Sequence, residues 1–273
     1  MTPALVREHL AHAGSAPPRV NPRKRARDWS EIQERMLLPL HETVHERLEV
    51  GPGTRLLGLC CGSGLALLLA AARGATVTGV DSRPEHLALA RARLAPQARL
   101  LRADSPAGAA GPGTPPYTLV TAYETAGPLD DSGVLGDALG AALPQAARGA
   151  AVVLAGWGPP ERCATSTVLR AAARLAAPRR GWRPPRRDDL EEVALRAGLK
   201  PDGSGRVACP FGYADSDSAV RGLVSTGLFD TAIAATDRKQ VGKDLTESLH
   251  PYRRPDGTVW MPNVFRYLIA RVP

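Results

Sequence analysis

The chain reads Leu56-Leu57-Gly58-Leu59-Cys60-Cys61-Gly62-Ser63-Gly64 at the point that decides its fold, and the apolar stretch Leu65–Ala72 follows directly. This order predicts a strand, a turn and a helix, because the first residues are continuously apolar and glycine tolerates the backbone angles of a tight turn. The next predicted strand, residues 76–80, ends at Asp81, 17 residues after Gly64. A Gly-rich turn followed about 20 residues later by an acid is typical of a site that holds a ribose-containing ligand.

Strands and helical stretches alternate along most of the chain. Further strands are predicted at residues 100–104, 117–122, 151–155, 205–209 and 264–271. The alternation implies parallel strands joined by right-handed crossovers. We therefore expect an α/β fold with a doubly wound, mostly parallel, seven-stranded Rossmann-like sheet. Ligands of such sheets bind beyond the carboxyl ends of the strands, where the strand order reverses.

The chain divides into a flexible basic arm, residues 1–27, and one domain, residues 28–273. Prolines and Gly14 interrupt regular structure in the arm. From Asp28 onward, apolar residues recur every three or four positions, which predicts a helix that ends at the Gly-Pro-Gly of residues 51–53. Within the domain we expect a helical Arg- and Pro-rich insert over residues 159–187 and a helical lid over residues 215–250, both before the last strand.

The net charge of +8 raises the question of a nucleic-acid partner. Many of the arginines lie in residues 19–27 and 170–187, which do not interleave aromatic residues at a stacking spacing. We therefore expect a small-molecule substrate rather than nucleic acid, and a homodimer is left open. Four cysteines fit a reducing compartment, and residues 1–18 lack the basic-then-apolar order of a signal peptide. No run reaches the roughly 18 apolar residues of a membrane span, so a cytoplasmic location without membrane attachment is expected.

The quoted stretch resembles the first motif of class I S-adenosylmethionine (SAM) methyltransferases, in which a strand leads into a Gly-x-Gly turn that opens a helix. Val77-Thr78-Gly79-Val80-Asp81 looks like their second motif, and Leu101-Arg102-Ala103-Asp104 looks like their third. The resemblance covers residues 29–157 and the terminal strand, and it is close to small-molecule methyltransferases of actinobacterial natural-product pathways such as antibiotic biosynthesis. It implies transfer of a methyl group from SAM to a small-molecule acceptor.

The resemblance also implies roles for single residues. The carboxylate of Asp81 is suited to the ribose hydroxyls, and that of Asp104 to the adenine amino group. Trp29 and Gln33 lie on a helix that folds over the cofactor in the family, although Trp29 fits a core aromatic equally well. The predicted cofactor-binding residues are Trp29, Gln33, Cys60, Gly62, Ser63, Gly64, Asp81, Ser82, Asp104, Ser105 and Tyr123.

The catalytic residues are predicted at two places. Methyl transfer mainly requires alignment of donor and acceptor, because the sulfonium is already activated. A base is needed only for a weakly acidic acceptor. The candidates are Tyr123 and Glu124, which follow the fourth strand, and His250, which follows a helix. Glu124 is also consistent with an exposed loop acid, and His250 with a histidine favoured by the helix dipole.

Two residues depart from the first motif. Gly58 stands where the family has an acid, so an acceptor for the methionine part of the cofactor is missing. Cys60 stands where the family has its first glycine, and its Cβ would be strained in a left-handed turn. The departures fit drift within a working methyltransferase. They also fit an alternative, a methyltransferase-like protein that catalyses a cyclisation or isomerisation with SAM structural or absent.

Two other known patterns occur in the sequence. A NAD-dependent dehydrogenase shares the strand, turn, helix and acid, but a helix-rich insert before a final strand suits a methyltransferase better. His41-Glu42-Thr43-Val44-His45 matches the HExxH signature of zinc proteases. No third ligand follows at a suitable distance, so we expect no metal site and a solvent-facing helix surface.

Overall fold

A computed structural model of the protein describes residues 21–102, 115–123, 134–173 and 188–273. The described residues form nine strands: β1 (Arg55–Leu59), β2 (Thr76–Asp81), β3 (Arg99–Arg102), β4 (Tyr117–Tyr123), β5 (Ala146–Trp157), β6 (Lys200–Ala208), β7 (Phe211–Tyr213), β8 (Val259–Met261) and β9 (Val264–Arg271). They also form ten α-helices: α1 (Pro22–Asp28), α2 (Leu38–Arg47), α3 (Leu65–Ala72), α4 (Pro84–Arg93), α5 (Val134–Ala142), α6 (Ala164–Ala173), α7 (Asp189–Arg196), α8 (Ser216–Ser225), α9 (Asp230–Ala235) and α10 (Arg238–Ser248).

Seven of the strands form one sheet in the order β3-β2-β1-β4-β5-β9-β6. Strands β1 to β5 pair in parallel, and β9 runs antiparallel to both β5 and β6. The predicted doubly wound, mostly parallel, seven-stranded sheet is therefore confirmed. The strand order reverses between β1 and β4, so this is where a ligand cleft is expected.

The central strands are buried on both faces. In β1, Leu56 belongs to the apolar core on one side of the sheet and Leu57 to the core on the other side. The same alternation places Val153 and Val152 of β5 in opposite cores. Burial on both faces explains why these strands read as continuous apolar runs in the sequence.

The N-terminal segment corrects the predicted boundary of the arm. The arm was expected to be irregular through residue 27, but residues 22–28 form α1. The side chain of Asn21 caps this helix by accepting from the N–H groups of Arg23 and Lys24, and Pro22 suits the first turn. Arg25 then pairs with Asp230 at 2.5 Å, so the last residues of the predicted arm are part of the folded domain.

A π turn, Trp29–Gln33, and a 3-10 turn, Glu34–Leu37, connect α1 to α2. The backbone N–H of Glu34 donates to the carbonyl of Trp29, five residues earlier. Turns of this kind inside helices are frequent at functional sites. Here the turn changes which side chains share a face of the helical segment.

The predicted lid over residues 215–250 is helical, as three separate helices. Asp215 caps α8 and Asp237 caps α10 through their side chains, and Gly227 has φ +85° where α8 gives way to α9. Helix α8 packs on the N-terminal segment, since a Cβ on Gly222 would lie 2.9 Å from Ile32. Of the predicted insert, α6 is described, whereas residues 174–187 lie outside the described residues. No helix in the described ranges has both the length and the apolar character needed to cross a membrane.

Candidate active site

A cleft lies beyond the carboxyl ends of β1 and β4, next to the reversal of strand order. Its walls come from the N-terminal helical segment, the Gly-rich turn, the start of α3 and the ends of β1 and β4. The described residues that line it are Trp29, Glu34, Leu37, His41, Gly58, Leu59, Cys60, Cys61, Gly62, Ala66, Leu67, Arg83, Thr121 and Tyr123.

The turn after β1 uses left-handed backbone at three positions. Gly62 has φ +58°, Gly64 has φ +83° and Cys60 has φ +51°. A Cβ on Gly62 would lie 3.0 Å from a carboxylate oxygen of Glu34, so glycine avoids a close contact there and also suits the conformation. Cys60 holds an unfavourable conformation for a residue with a Cβ, at a cost of about 1–2 kcal/mol.

Asp81 ties the end of β2 to this turn. Its side chain is buried, and Oδ2 accepts from the backbone N–H of Gly62 at 2.8 Å. Oδ1 accepts from the backbone N–H of Arg83 at 2.9 Å and from Nε of Arg83 at 3.2 Å. The Arg83 side chain thus covers Asp81 from the cleft, at a place where a ligand diol would donate to the same carboxylate.

Glu34 reaches the turn from the opposite wall. Its Oε1 accepts from the backbone N–H of Ser63 at 3.0 Å, and Oε2 accepts from the Ser63 hydroxyl. Nη1 of Arg93 lies 2.6 Å from Oε2, and Nη2 of the same guanidinium donates to Ser30 at 2.7 Å. This network joins the N-terminal segment, the turn and the end of α4.

Trp29 lies over the turn with its ring stacked on His86, the two centroids 6.2 Å apart. Nε1 of Trp29 is buried and has no hydrogen-bond partner among the described residues. Burial, with the nearby charge of Arg83, lowers the pKa of His86 to about 4, so its ring is neutral at neutral pH. Trp29 therefore presents an unused N–H to the cleft, which suits a ligand with an acceptor atom.

Tyr123 and His41 meet at the other end of the cleft, edge to face with centroids 4.6 Å apart. Within the described part of the chain, neither the Tyr123 hydroxyl nor Nδ1 of His41 has a partner, although both are buried. Burial, together with His45, lowers the pKa of His41 to about 3, and burial raises the pKa of the Tyr123 phenol. At neutral pH the pair offers a neutral imidazole and a protonated phenol to whatever binds there.

The HExxH stretch is not the solvent-facing surface that was expected. His41 and His45 are both buried, and only Glu42 of the three signature side chains is well exposed. Helix α2 packs against both α3 and β6, which covers two of its faces. No group of three or more metal-ligating side chains occurs within residues 21–102, 115–123, 134–173 and 188–273.

The predicted site residues fall into four groups. Trp29, Cys60, Gly62 and Tyr123 line the cleft, while Ser63, Gly64 and Asp81 form the turn and its support behind it. Asp104, Ser105 and Glu124 lie outside the described residues.

The three residues of the fourth group lie neither in the cleft lining nor in the turn after β1. The amide oxygen of Gln33 accepts from the Tyr213 hydroxyl at 2.9 Å, against α8. Ser82 is exposed after β2, and His250 is exposed in a 3-10 turn after α10. Ten of the lining residues were not predicted as site residues, among them Glu34, Leu37, His41, Arg83 and Thr121. His41 was visible only as part of a metal motif, and no sequence signal singled out Glu34.

Comparison with known sequences gives a short match. No protein-family model matches the sequence. It is 43% identical to an uncharacterized methyltransferase of Synechocystis sp. over 58 residues, which are 21% of this chain and 27% of that protein. The chain thus matches only about a quarter of the length of that curated relative.

Comparison with solved structures covers almost the whole chain. A SAM-dependent methyltransferase from Geobacter sulfurreducens, solved with S-adenosylhomocysteine, superposes with a TM-score of 0.52 at 18% identity, over 92% of this chain and 99% of that one. The cyclase SpnF superposes with a TM-score of 0.51 at 18% identity, over 86% of this chain and 80% of that one. The chain therefore has the fold of class I SAM-dependent methyltransferases, a fold that a cyclase also uses.

Proposed function

We propose that the protein transfers a methyl group from SAM to a small-molecule acceptor. The observation that carries this is the 2.8 Å hydrogen bond from the Gly62 N–H to Asp81, which holds a left-handed glycine turn beside a buried acid at the switch point of the sheet. In the Geobacter methyltransferase, which shares this fold, S-adenosylhomocysteine is bound. The short match to the Synechocystis methyltransferase supports the same assignment.

The residues present fit such a cofactor. Asp81 would accept from the ribose hydroxyls once the Arg83 side chain moves aside, and Asp104 and Ser105 remain the predicted adenine contacts. Gly62 leaves room where a Cβ would meet Glu34. Trp29 contributes a buried N–H that has no acceptor among the described residues and could donate to the cofactor. Bound SAM would supply an electrophilic methyl group on a sulfonium, and the protein's task would be to align an acceptor with it.

Tyr123 and His41 are the residues proposed to face the acceptor. Their neutral, unpartnered polar atoms would hold a polar acceptor by hydrogen bonds. A histidine with a pKa of about 3 is a weak base at neutral pH. This favours an acceptor whose nucleophilic atom needs no base from the protein, such as an amine or an acidic hydroxyl. His250 and Glu124 stay predictions for any catalytic base.

A small molecule is favoured over nucleic acid because described arginines near the cleft pair with acids of the chain itself. Arg93 pairs with Glu34, Arg221 with Asp28 at 2.6 Å and Arg25 with Asp230. Paired guanidinium groups do not form the open basic stripe that tracks a phosphate backbone. The natural-product acceptor, the cytoplasmic location, the lid role of residues 215–250 and a homodimer remain part of this proposal.

The proposal is tested by calorimetry with SAM and S-adenosylhomocysteine. Asp81→Ala should weaken both by about tenfold to a hundredfold, because a carboxylate that accepts from the ribose is lost. Asp137→Ala is the matched control, since Asp137 is an exposed aspartate on α5. Absence of binding by the unmodified protein would contradict the proposal.

A second candidate is a cyclisation or isomerisation in the same cleft. The similarity to the fold of SpnF and the residues Gly58 and Cys60, which depart from the first motif, favour it. Incubation with SAM labelled in its methyl group and a small-molecule extract of the source cells separates the two. A labelled product supports methyl transfer, and a converted substrate of unchanged mass supports the second candidate.

A further inference from the structure

Glu34 is a buried carboxylate on the wall of the cleft. It is 4% exposed and begins the 3-10 turn after the π turn. Within the described residues, Glu34 is the only acid that lines the cleft. A buried carboxylate is costly unless charge and hydrogen bonds compensate it. Arg93 and the two groups of Ser63 supply that compensation, and the residue is therefore held in one place.

The carboxylate still has acceptor capacity toward the cleft. Each carboxylate oxygen accepts about two hydrogen bonds. On the described chain, Oε1 accepts only from the Ser63 N–H. The same oxygen lies 3.0 Å from the position that a Cβ on Gly62 would take. The absence of a side chain on Gly62 therefore leaves Oε1 open on the side of the cleft.

Gly58 leaves the first motif without its acid, and its surroundings do not readily admit one. A Cβ on Gly58 would lie 2.9 Å from Cδ2 of Leu67 and 3.7 Å from Cβ of Cys61. The strand position is thus filled by packing from α3. An acceptor for a cationic group at this end of the cleft must come from another element.

The position of Glu34 relative to Asp81 indicates which group it would meet. Gly62 lies between them, with its N–H on Asp81 and its open Cα side toward Glu34. This step rests on the proposed function. If Asp81 held the ribose, Glu34, on the other side of Gly62, would be the acid placed to hold the amino-acid end of the cofactor.

We infer that the Glu34 carboxylate accepts a hydrogen bond from the ammonium group of the cofactor's amino-acid end, in place of the acid that is missing at Gly58. Glu34 is then a cofactor-binding residue supplied by the N-terminal segment rather than by β1. The ion pair with Arg93 and the bonds to Ser63 position it for this contact.

The test compares three ligands by calorimetry: SAM, S-adenosylhomocysteine and 5′-methylthioadenosine, which lacks the amino-acid end. Glu34→Gln keeps the shape of the side chain and removes its charge. We expect SAM and S-adenosylhomocysteine to bind about tenfold to a hundredfold more weakly, and methylthioadenosine to change by less than about twofold. Glu42→Gln, an exposed acid on α2, is the control and should change none of the three.

Several results would overturn the inference. Equal weakening of all three ligands would mean that Glu34 only holds the turn. Weakening of SAM alone would place the carboxylate at the sulfonium, and unchanged affinities would give Glu34 no part in binding. If the unmodified protein bound none of the ligands, the proposed function would fail as well, which distinguishes the two failures. Should Glu34→Gln not fold, Glu34→Asp is the second variant: it keeps the charge beside Arg93 but shortens the side chain by one methylene group. The dissociation constant of methylthioadenosine divided by that of S-adenosylhomocysteine must still fall.

Discussion

The guanidinium of Arg83 lies on the carboxylate of Asp81, with Nε 3.2 Å from Oδ1 and Nη2 3.5 Å from Oδ2. Asp81 is almost fully buried, whereas the Arg83 side chain is 45% exposed. The cation thus occupies the acceptor atoms that a ribose would use. Because a half-exposed ion pair is worth about 0–1 kcal/mol, displacing Arg83 costs little.

Arg83→Met should therefore strengthen binding of S-adenosylhomocysteine by up to about fivefold, since the competing cation is removed while the backbone N–H of residue 83 still holds Asp81. Calorimetry at fixed ionic strength measures this. Arg91→Met, on the helix α4 that follows Arg83, is the control and should leave the affinity unchanged. Weaker binding by Arg83→Met would show instead that Arg83 itself contacts the ligand.

Gly62→Ala should destabilise the protein by about 1–3 kcal/mol. A residue with a Cβ is strained at φ +58°, and the new Cβ would lie 3.0 Å from a carboxylate oxygen of Glu34. It should also abolish detectable binding of S-adenosylhomocysteine. Chemical denaturation and calorimetry provide the two readouts. Gly140→Ala in α5, where a Cβ meets nothing within 4 Å, is the matched control. It should be neutral or stabilising by up to about 1 kcal/mol. Equal effects of both substitutions would contradict this account of the turn.

Acid should destabilise the protein because it favours protonation of histidines that are buried and neutral in the folded state. Burial and the charge of Arg73 lower the pKa of His45 to about 4, against about 6.5 when unfolded. Between pH 6.5 and 4 the His45 imidazole is protonated in the unfolded chain but stays neutral in the folded chain. The free energy of unfolding therefore falls as the pH drops from 6.5 toward 4. At pH 5.5 the loss from His45 is about 1.4 kcal/mol.

His45→Leu should remove that part of the pH dependence. The difference in stability between the variant and the unmodified protein should therefore favour the variant more at pH 5.5 than at pH 8. Both ring nitrogens of His45 are without a partner in the described structure, so no hydrogen bond to a described residue is sacrificed. Denaturation at the two pH values measures the difference. His250→Gln is the control, because His250 is exposed. An unchanged pH slope in His45→Leu would assign the effect to other groups.

The sequence allowed the sheet to be predicted because its central strands are buried on both faces, and β9 was predicted with its observed limits. Glu34 could not be found in this way. The π turn aligns it with Trp29 five residues earlier, whereas a regular α-helix, with 3.6 residues per turn, would place the two on different faces. His41 was placed on a solvent-facing surface because an amphipathic pattern predicts only one buried face, while α2 is covered by both α3 and β6.

Restoring the first motif distinguishes methyl transfer from cyclisation or isomerisation. The double variant Gly58→Asp with Cys60→Gly returns the acid and the glycine to the turn. Cys60→Gly alone should stabilise the protein by about 1 kcal/mol, because φ +51° costs a glycine little. Gly58→Asp must displace the Leu67 side chain, which lies 2.9 Å from the new Cβ, at a cost of about 1–3 kcal/mol. The double variant should therefore be close to the unmodified protein or somewhat less stable than it, as denaturation will show.

If the protein is a methyltransferase, the double variant should bind SAM at least as tightly as the unmodified protein and keep its turnover, since it regains an acid for the methionine end. If the cleft serves a cyclisation or isomerisation, tighter SAM binding should come without any methylated product. Mass spectrometry with methyl-labelled SAM distinguishes these outcomes. Turnover that persists after SAM has been stripped from the protein would refute methyl transfer, while the seven-stranded fold would stand unchanged.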